Sequence, residues 1–206
     1  MTTQNITVPI TGVTATDLLA ISNAVSALST GTVTTSTPPP PPPPVLSSVV
    51  YQNGAINWTF NMSYGATVNY QDTVGAPPTG THDAAITVTG ATGGGWQPGV
   101  SDACQNQGIG CFDTTPYAYF VFSYKATTAN LEANLIMAWH QPGDVPNGNQ
   151  GVAIGQYCSK PAVGSWGTAK VPLSIFALAN KTVSKFTLQS NTPTVFYVND
   201  VGFSAT

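Results

Sequence analysis

Charge is nearly absent from this chain: 206 residues carry five Lys, no Arg and eight Asp plus Glu, so only 6% of the side chains are charged. Soluble domains average about 25%, so the surface here has to be made of neutral polar groups. Long surface helices draw on Glu, Lys and Arg at their exposed positions, and a chain without them is not expected to form a helical bundle. Thr occupies 29 positions, and Gly and Pro together 37. Thr, Val, Tyr and Phe between clusters of Gly, Pro and Asn read as strands and turns, so the chain is expected to be all-β.

The sparse charge also excludes functions. Net charge is −3 and the first Lys is Lys125. Binding to a phosphate backbone needs clustered Lys and Arg, so no nucleic acid is expected as a partner. No apolar run approaches the ~20 residues that span a bilayer, so no membrane span is expected either. The first residues, Met1-Thr2-Thr3-Gln4-Asn5, lack the positive start of a secretory signal. The chain is therefore expected either to stay inside the cell until released, or to have lost a leader.

Residues 1–37 read as an arm. Asn5-Ile6-Thr7-Val8-Pro9-Ile10 alternates polar and apolar, as a short extended segment does. Thr16 can cap a helix that runs to about Ser29, with Gly31 just past its end. Leu18, Ile21, Val25 and Leu28 follow the 3-4-3 spacing of a coiled-coil seam. Two heptads are too short to stand alone in water, so the seam is expected to pack on sister chains, on another protein, or on the main domain. Residues 38–44 are seven consecutive prolines. Such a run is confined to polyproline II at ~3.1 Å per residue, a semi-rigid spacer of about 20 Å.

Residues 45–206 are long enough for one domain with its own core. Strands are expected over 48–60, 84–89, 117–126, 131–140, 152–157, 169–175, 183–189 and 194–203. About eight strands without helices point to a two-sheet jelly-roll β-sandwich. Tyr117-Ala118-Tyr119-Phe120-Val121-Phe122 is apolar on both faces, the pattern of a central strand covered on both sides. Residues 131–140 alternate, with Leu131, Leu135, Met137 and Trp139 toward the core and Glu132, Asn134 and His140 facing away.

Three Cys are present. Cys104 and Cys111 bracket a six-residue loop and suit a small disulfide. Pairing of Cys158 with one of them, or three free thiols, are the alternatives. The spacing matches no zinc pattern.

The segment Phe112-Asp113-Thr114-Thr115-Pro116-Tyr117-Ala118-Tyr119-Phe120-Val121-Phe122 is followed by Gly164-Ser165-Trp166-Gly167-Thr168-Ala169-Lys170-Val171-Pro172 and Val183-Ser184-Lys185-Phe186-Thr187-Leu188-Gln189. The chain then reaches Phe196-Tyr197-Val198-Asn199-Asp200-Val201-Gly202-Phe203. In order and spacing these pieces resemble the carbohydrate-binding-module type of β-sandwich, the galactose-binding-like jelly roll. The resemblance implies that fold, and sugar binding. It also implies a structural calcium held by an Asp of the final strand, which here is Asp200. No other cofactor is expected.

Catalysis finds little material. Glycoside hydrolysis needs two facing carboxylates, and Asp72, Asp83, Asp102, Asp113, Glu132, Asp144 and Asp200 form no suggestive pair in the sequence. His82 and His140 have no nucleophile-elbow partner. The chain is therefore not expected to be an enzyme. A sugar site instead uses aromatic platforms beside planar polar groups. Trp96, in Gly93-Gly94-Gly95-Trp96-Gln97-Pro98-Gly99, is the candidate platform, its alternative being a lid folded onto the sandwich edge. Asn134, His140 and Gln189, with Thr187, are the candidate polar partners, the alternative being a plain solvated sheet face. Trp139 is expected in the core, and Trp58 and Trp166 in the core or at a sheet edge.

An anchoring arm, a stiff spacer and a sandwich head together make the layout of a display protein. The expectation is a tailed-phage capsid decoration protein or short head or tail fibre at the virion surface. It would contact capsid or other virion proteins through residues 1–37, form a homo-oligomer (a trimer being one arrangement), and touch surface glycans through the head. The alternative is a secreted or cell-surface bacterial carbohydrate-binding module, extracellular, with the proline run as its linker.

Overall fold

The longest strand is also the most central one. β16 (Thr194–Ser204) lies along β9 (Tyr119–Lys125) on one edge, and its other edge is shared by β5 (Asp83–Val88) and β1 (Ser48–Gln52). β13 (Trp166–Pro172) extends this first sheet beyond β9, β2 (Ala55–Ile56) extends it beyond β1, and β4 (Ala66–Asp72) pairs with β5. The structure is a computed structural model and describes residues 42–206. The helix expected from Thr16 to Ser29, its seam of Leu18, Ile21, Val25 and Leu28, and prolines 38–41 lie outside the described residues.

The second sheet is centred on β15 (Lys185–Ser190), flanked by β10 (Leu135–Gln141) on one side and by β6 (Gly94–Trp96) and β7 (Pro98–Gly99) on the other. β11 (Val145–Pro146) and β12 (Val152–Ala153) pair with β10, and β3 (Phe60–Asn61) with β7. A small third ladder joins β8 (Phe112–Asp113) to β14 (Thr182–Val183). Among the described residues every strand pairing is antiparallel, as in hairpin-rich sandwiches.

The sheets meet through aromatic rings. Phe120 of β9 packs at 4.7 Å from Phe186 of β15 and 5.4 Å from Trp139 of β10, and Phe203 of β16 lies 5.7 Å from Trp139. These side chains are fully buried, and offset or edge-on aromatic pairs add to the stabilisation from area burial alone. Residues 120–124 of β9 are buried without interruption, so the strand apolar on both faces is covered on both faces. The described architecture is the β-sandwich that the composition and strand pattern point to.

Local differences from the expected strands have physical reasons. The strand expected over 48–60 breaks at Asn53-Gly54, where φ is 47° and 84° and Gln52 pairs with Ala55. Asn-Gly supplies the two positive φ angles of a tight hairpin turn. Residues 131–134 form a 3₁₀ turn, so strand alternation starts only at Leu135, and Glu132 is buried rather than outward. β4 was not expected, although Ala66, Val68 and Tyr70 alternate with exposed Thr67, Asn69 and Gln71. Among the described residues an α-helix, α1 (Asp102–Gln107), interrupts the β pattern; Ser101 caps it by accepting from the Cys104 amide, and Gly108 ends it at φ 71°.

Candidate functional site

β10 and β15 run side by side with Ile136 opposite Gln189, Ala138 opposite Thr187 and His140 opposite Lys185. The intervening residues, Leu135, Met137, Trp139, Phe186 and Leu188, fill the core. Period-2 alternation therefore aligns His140, Lys185, Thr187 and Gln189 on the sheet face directed away from it. Across β15, Gly95 lies opposite Gln189 and Gly99 opposite Lys185. A Cβ at residue 95 would sit 2.8 Å from the Gln189 Cβ, so glycine there lets the neighbouring strand approach beneath the Gln189 side chain.

Hydrogen bonds link the members of this face. Gln97 Nε2 donates to Thr187 Oγ1 at 2.7 Å. The Tyr64 hydroxyl donates to Gln189 Oε1, and Tyr64 remains 46% exposed. Its backbone is bridged to Gly95, which brings the ring to the end of β15. At the opposite end, Lys185 Nζ lies 2.5 Å from Asp144 Oδ1 and 3.4 Å from Gln97 Oε1, while Met62 Sδ is 3.3 Å away. His140 Nδ1 is 3.1 Å from the same Asp144 oxygen.

The electrostatics of the face are close to neutral. Lys185 is fully buried and paired, which is the condition for keeping an ammonium inside. Burial first, and then the Lys185 charge, push the His140 imidazole below its ordinary value, with Asp144 opposing. His140 is therefore uncharged at neutral pH. Thr187 and Gln97 are buried against each other, so what reaches solvent beside the neutral imidazole is the Gln189 amide and the half-exposed Tyr64 ring, groups that hydrogen-bond and stack without carrying charge.

The candidate ligand residues do not all meet here. His140 and Gln189 lie on the face at opposite ends of the β10–β15 pair. Trp96 does not: it is fully buried, its indole N–H donates to the Tyr70 hydroxyl at 2.9 Å, and Tyr51 and Phe186 pack edge-on to it. The glycine run places Trp96 in β6 opposite Leu188, on the core side, so the exposed-platform expectation is corrected. Asn134 ends the 3₁₀ turn before β10, outside the alternation that would align it with His140. Its carbonyl instead accepts from the Asn191 amide at 3.3 Å.

Tyr64, Gln97, Asp144 and Lys185 were not singled out from the sequence. Lys185 was legible in the alternation of Lys185-Phe186-Thr187-Leu188-Gln189. Tyr64 stands alone in an irregular stretch and carries no periodic signal.

The cysteines and Asp200 are structural in their surroundings. Cys104 and Cys111 are bonded to each other, and Cys158 is a buried free thiol. Asp200 sits in a bulge of β16, at φ 49°, where Asp200 and Val201 oppose the single residue Phe122 of β9. Its carboxylate accepts from Gln52 Nε2 at 2.8 Å and from Thr79 Oγ1 at 2.9 Å. Calcium takes six to eight oxygens, with carboxylates prominent among them. Among the described residues no three His, Cys, Asp or Glu side chains gather around one point. One carboxylate facing an amide and a hydroxyl does not fit the ion that the resemblance implies.

No family model and no curated protein matches this chain. Among solved structures, the β-1,2-glucanase from Parabacteroides distasonis is similar over 78% of this chain, with a TM-score of 0.53 and 12% identity. This chain spans 25% of that one, and the likeness shows the fold. The family 11 carbohydrate-binding module of the Clostridium thermocellum cellulosomal cellulase Lic26A-Cel5E is similar over 78% of this chain and 95% of its own, at TM-score 0.47 and 16% identity. A family 30 carbohydrate-binding module is similar over 77% and 84%, at TM-score 0.47 and 14% identity.

Proposed function

We propose that the exposed end of the β10–β15 face, Tyr64 with Gln189 and the buried Gln97–Thr187 pair beneath them, binds a neutral glycan, and that the sandwich is a non-catalytic binding module. The observation that carries this reading is the linked set Tyr64–Gln189 and Gln97–Thr187 beside a Lys185–Asp144 pair that cancels its own charge. Sugars are recognised by planar amides, hydroxyls and an aromatic ring laid against the apolar side of the pyranose, as in other mixed-polarity sites. Asp144 is the carboxylate of this face and is engaged by Lys185, so the face offers no free acid and base pair for hydrolysis. The likeness in fold to a glucanase agrees with a carbohydrate ligand.

The test is a screen of the full chain against immobilised neutral and acidic polysaccharides, followed by titration calorimetry with the best ligand. Saturable binding to a neutral polysaccharide, weakened by Tyr64→Ala and Gln189→Ala and unaffected by Lys170→Ala on the other sheet, is expected. A blank screen would remove the reading.

The arm, spacer and head layout supports a second proposal, display of this module on a virion. The seam of Leu18, Ile21, Val25 and Leu28 would dock on capsid or other virion proteins or build a homo-oligomer, and prolines 38–44 would hold the head away from the surface. Deleting residues 1–37 should abolish incorporation into particles while leaving glycan binding intact. Unchanged incorporation would favour the alternative, a secreted or cell-surface bacterial module.

A further inference from the structure

Away from that face, two carboxylates meet where β4 and β5 close. Asp72 and Asp83 are cross-strand partners, one step beyond a register shift in the ladder. Asp83 is fully buried, and neither carboxylate oxygen has a hydrogen-bond partner among the described residues. Asp72 is engaged most closely through Oδ2, which accepts from the amides of Val74 at 2.9 Å and Gly75 at 3.1 Å, while Oδ1 accepts only a long contact from Asn69 Nδ2 at 3.4 Å. Gly75 packs directly on the other carboxylate, and any Cβ at residue 75 would run into Asp83 Oδ2.

The surrounding elements do not supply the missing partner. Lys125 of β9 directs its ammonium to the Gly75 carbonyl at 2.8 Å and lies 5.8 Å from the centre of the Tyr197 ring. Tyr51 of β1 and Tyr197 of β16 face the pair as neutral phenols, held up by burial and by the two carboxylate charges. His82, next in the chain, shares its Nδ1 with the Thr81 hydroxyl at 2.8 Å. A buried carboxylate without donors is costly as an anion. One proton placed between two such groups turns their repulsion into a hydrogen bond.

We propose that Asp72 and Asp83 hold one proton between them and form a pH-sensitive clasp on the loop of residues 73–82. That loop crosses the end of the first sheet on a set of fixed bonds. Trp166 Nε1 donates to the Ala76 carbonyl at 2.8 Å, Asn199 Nδ2 to the Thr79 carbonyl at 3.0 Å, and the Thr81 amide to Asn53 Oδ1 at 2.7 Å. The clasp closes its first turn, through Val74 and Gly75. With the proton gone, two like charges face each other in a buried site and that turn opens.

Burial, then the neighbouring Asp72 carboxylate, raise the Asp83 carboxyl to about 7, with Lys125 opposing. A native value above the ordinary carboxylate value of 3.8 means that protonation favours the folded state. Its contribution is full below the ordinary value, declines as pH rises to about 7, and is absent above that.

The test is hydrogen exchange of the full chain from about pH 5.5 to about pH 8.5, corrected for intrinsic rates, read at the Val74 and Gly75 amides. Protection should fall at least about tenfold as pH rises through neutrality. Asp83→Asn, whose amide donates to Asp72 without titrating, should stay protected throughout. A pH-independent wild type, or a variant that loses protection in parallel, would overturn the clasp. Restoration of protection at high pH by millimolar calcium chloride would also overturn it, because a metal and not a proton would then join the carboxylates. Carboxyl carbon titration of the unaltered protein needs no variant. The Asp83 carboxyl carbon is expected to titrate near neutrality, and its titration in the ordinary acid range would refute the shared proton.

Discussion

The Lys185 ammonium is wholly buried, yet its counter-charge, Asp144, stands 57% exposed on a turn at 2.5 Å. Asp144 occupies the left-handed region at φ 65°, a conformation that non-glycine residues adopt at a cost, and the ion pair holds it there. Removing the carboxylate leaves a buried cation. Asp144→Ala should therefore lower stability by about 2 kcal/mol, below the full cost for a deeply buried pair because water can reach the vacated side. Lys185→Met, which removes the charge and keeps the stem, should cost less. Urea midpoints of the two variants give the comparison.

Trp96 fills the core. Trp96→Ala should cost about 3–5 kcal/mol, as large-to-small changes at buried aromatics do, and its thermal transition should fall steeply. A variant that kept wild-type stability and lost only ligand binding would return Trp96 to the surface.

Tyr64 should behave in the opposite way. Its ring is half exposed and its hydroxyl contacts Gln189, so Tyr64→Ala should leave the melting temperature within a degree or two while weakening glycan binding about tenfold, or ~1.4 kcal/mol. Calorimetric titration beside thermal melting separates the two effects.

The thiols should divide cleanly. Burial pushes the Cys158 thiol up to about 12, so a thiol reagent should find no reactive cysteine in the native protein and one after denaturation without reductant. Cys104 and Cys111 close a short loop. In the chain-entropy account such a bridge contributes about 2–3 kcal/mol, and reduction should lower the denaturation midpoint accordingly.

His140 should mark its own pH window. Its imidazole is held below the ordinary 6.5, so protonation is less favourable in the folded state. The associated stability is present above about 6.5 and lost as pH falls below it. Wild type should lose more stability between about pH 6.5 and pH 5 than His140→Gln, whose side chain does not titrate.

Much of the sandwich could be read from alternation. The period-2 pattern of residues 135–141 and 185–189 survives in β10 and β15, and the doubly apolar run around Phe120 is the doubly covered β9. Asn53-Gly54 is itself a hairpin signal inside the apolar run 48–60, and the turn it dictates divides that run into two strands. Trp96 shows the opposite limit. A tryptophan among four glycines, at 93, 94, 95 and 99, looks uncovered in one dimension, but its cover comes from Tyr51, Tyr70 and Phe186, distant in sequence. Asp72 and Asp83 were noted singly. They become a pair only through a bulge that shifts the β4–β5 register, and no local pattern announces that shift.

The position of β16 in the sheet bears on how the chain is made. β1, β5 and β9 all find their partner in residues 194–204, so during synthesis those three strands wait with open edges until the ribosome has delivered the strand that joins them. The first sheet must close late, over long sequence separations that slow folding. In that interval the nascent chain is exposed to strand-to-strand association with its neighbours. A truncation just before Thr194 should leave the chain permanently in that vulnerable state.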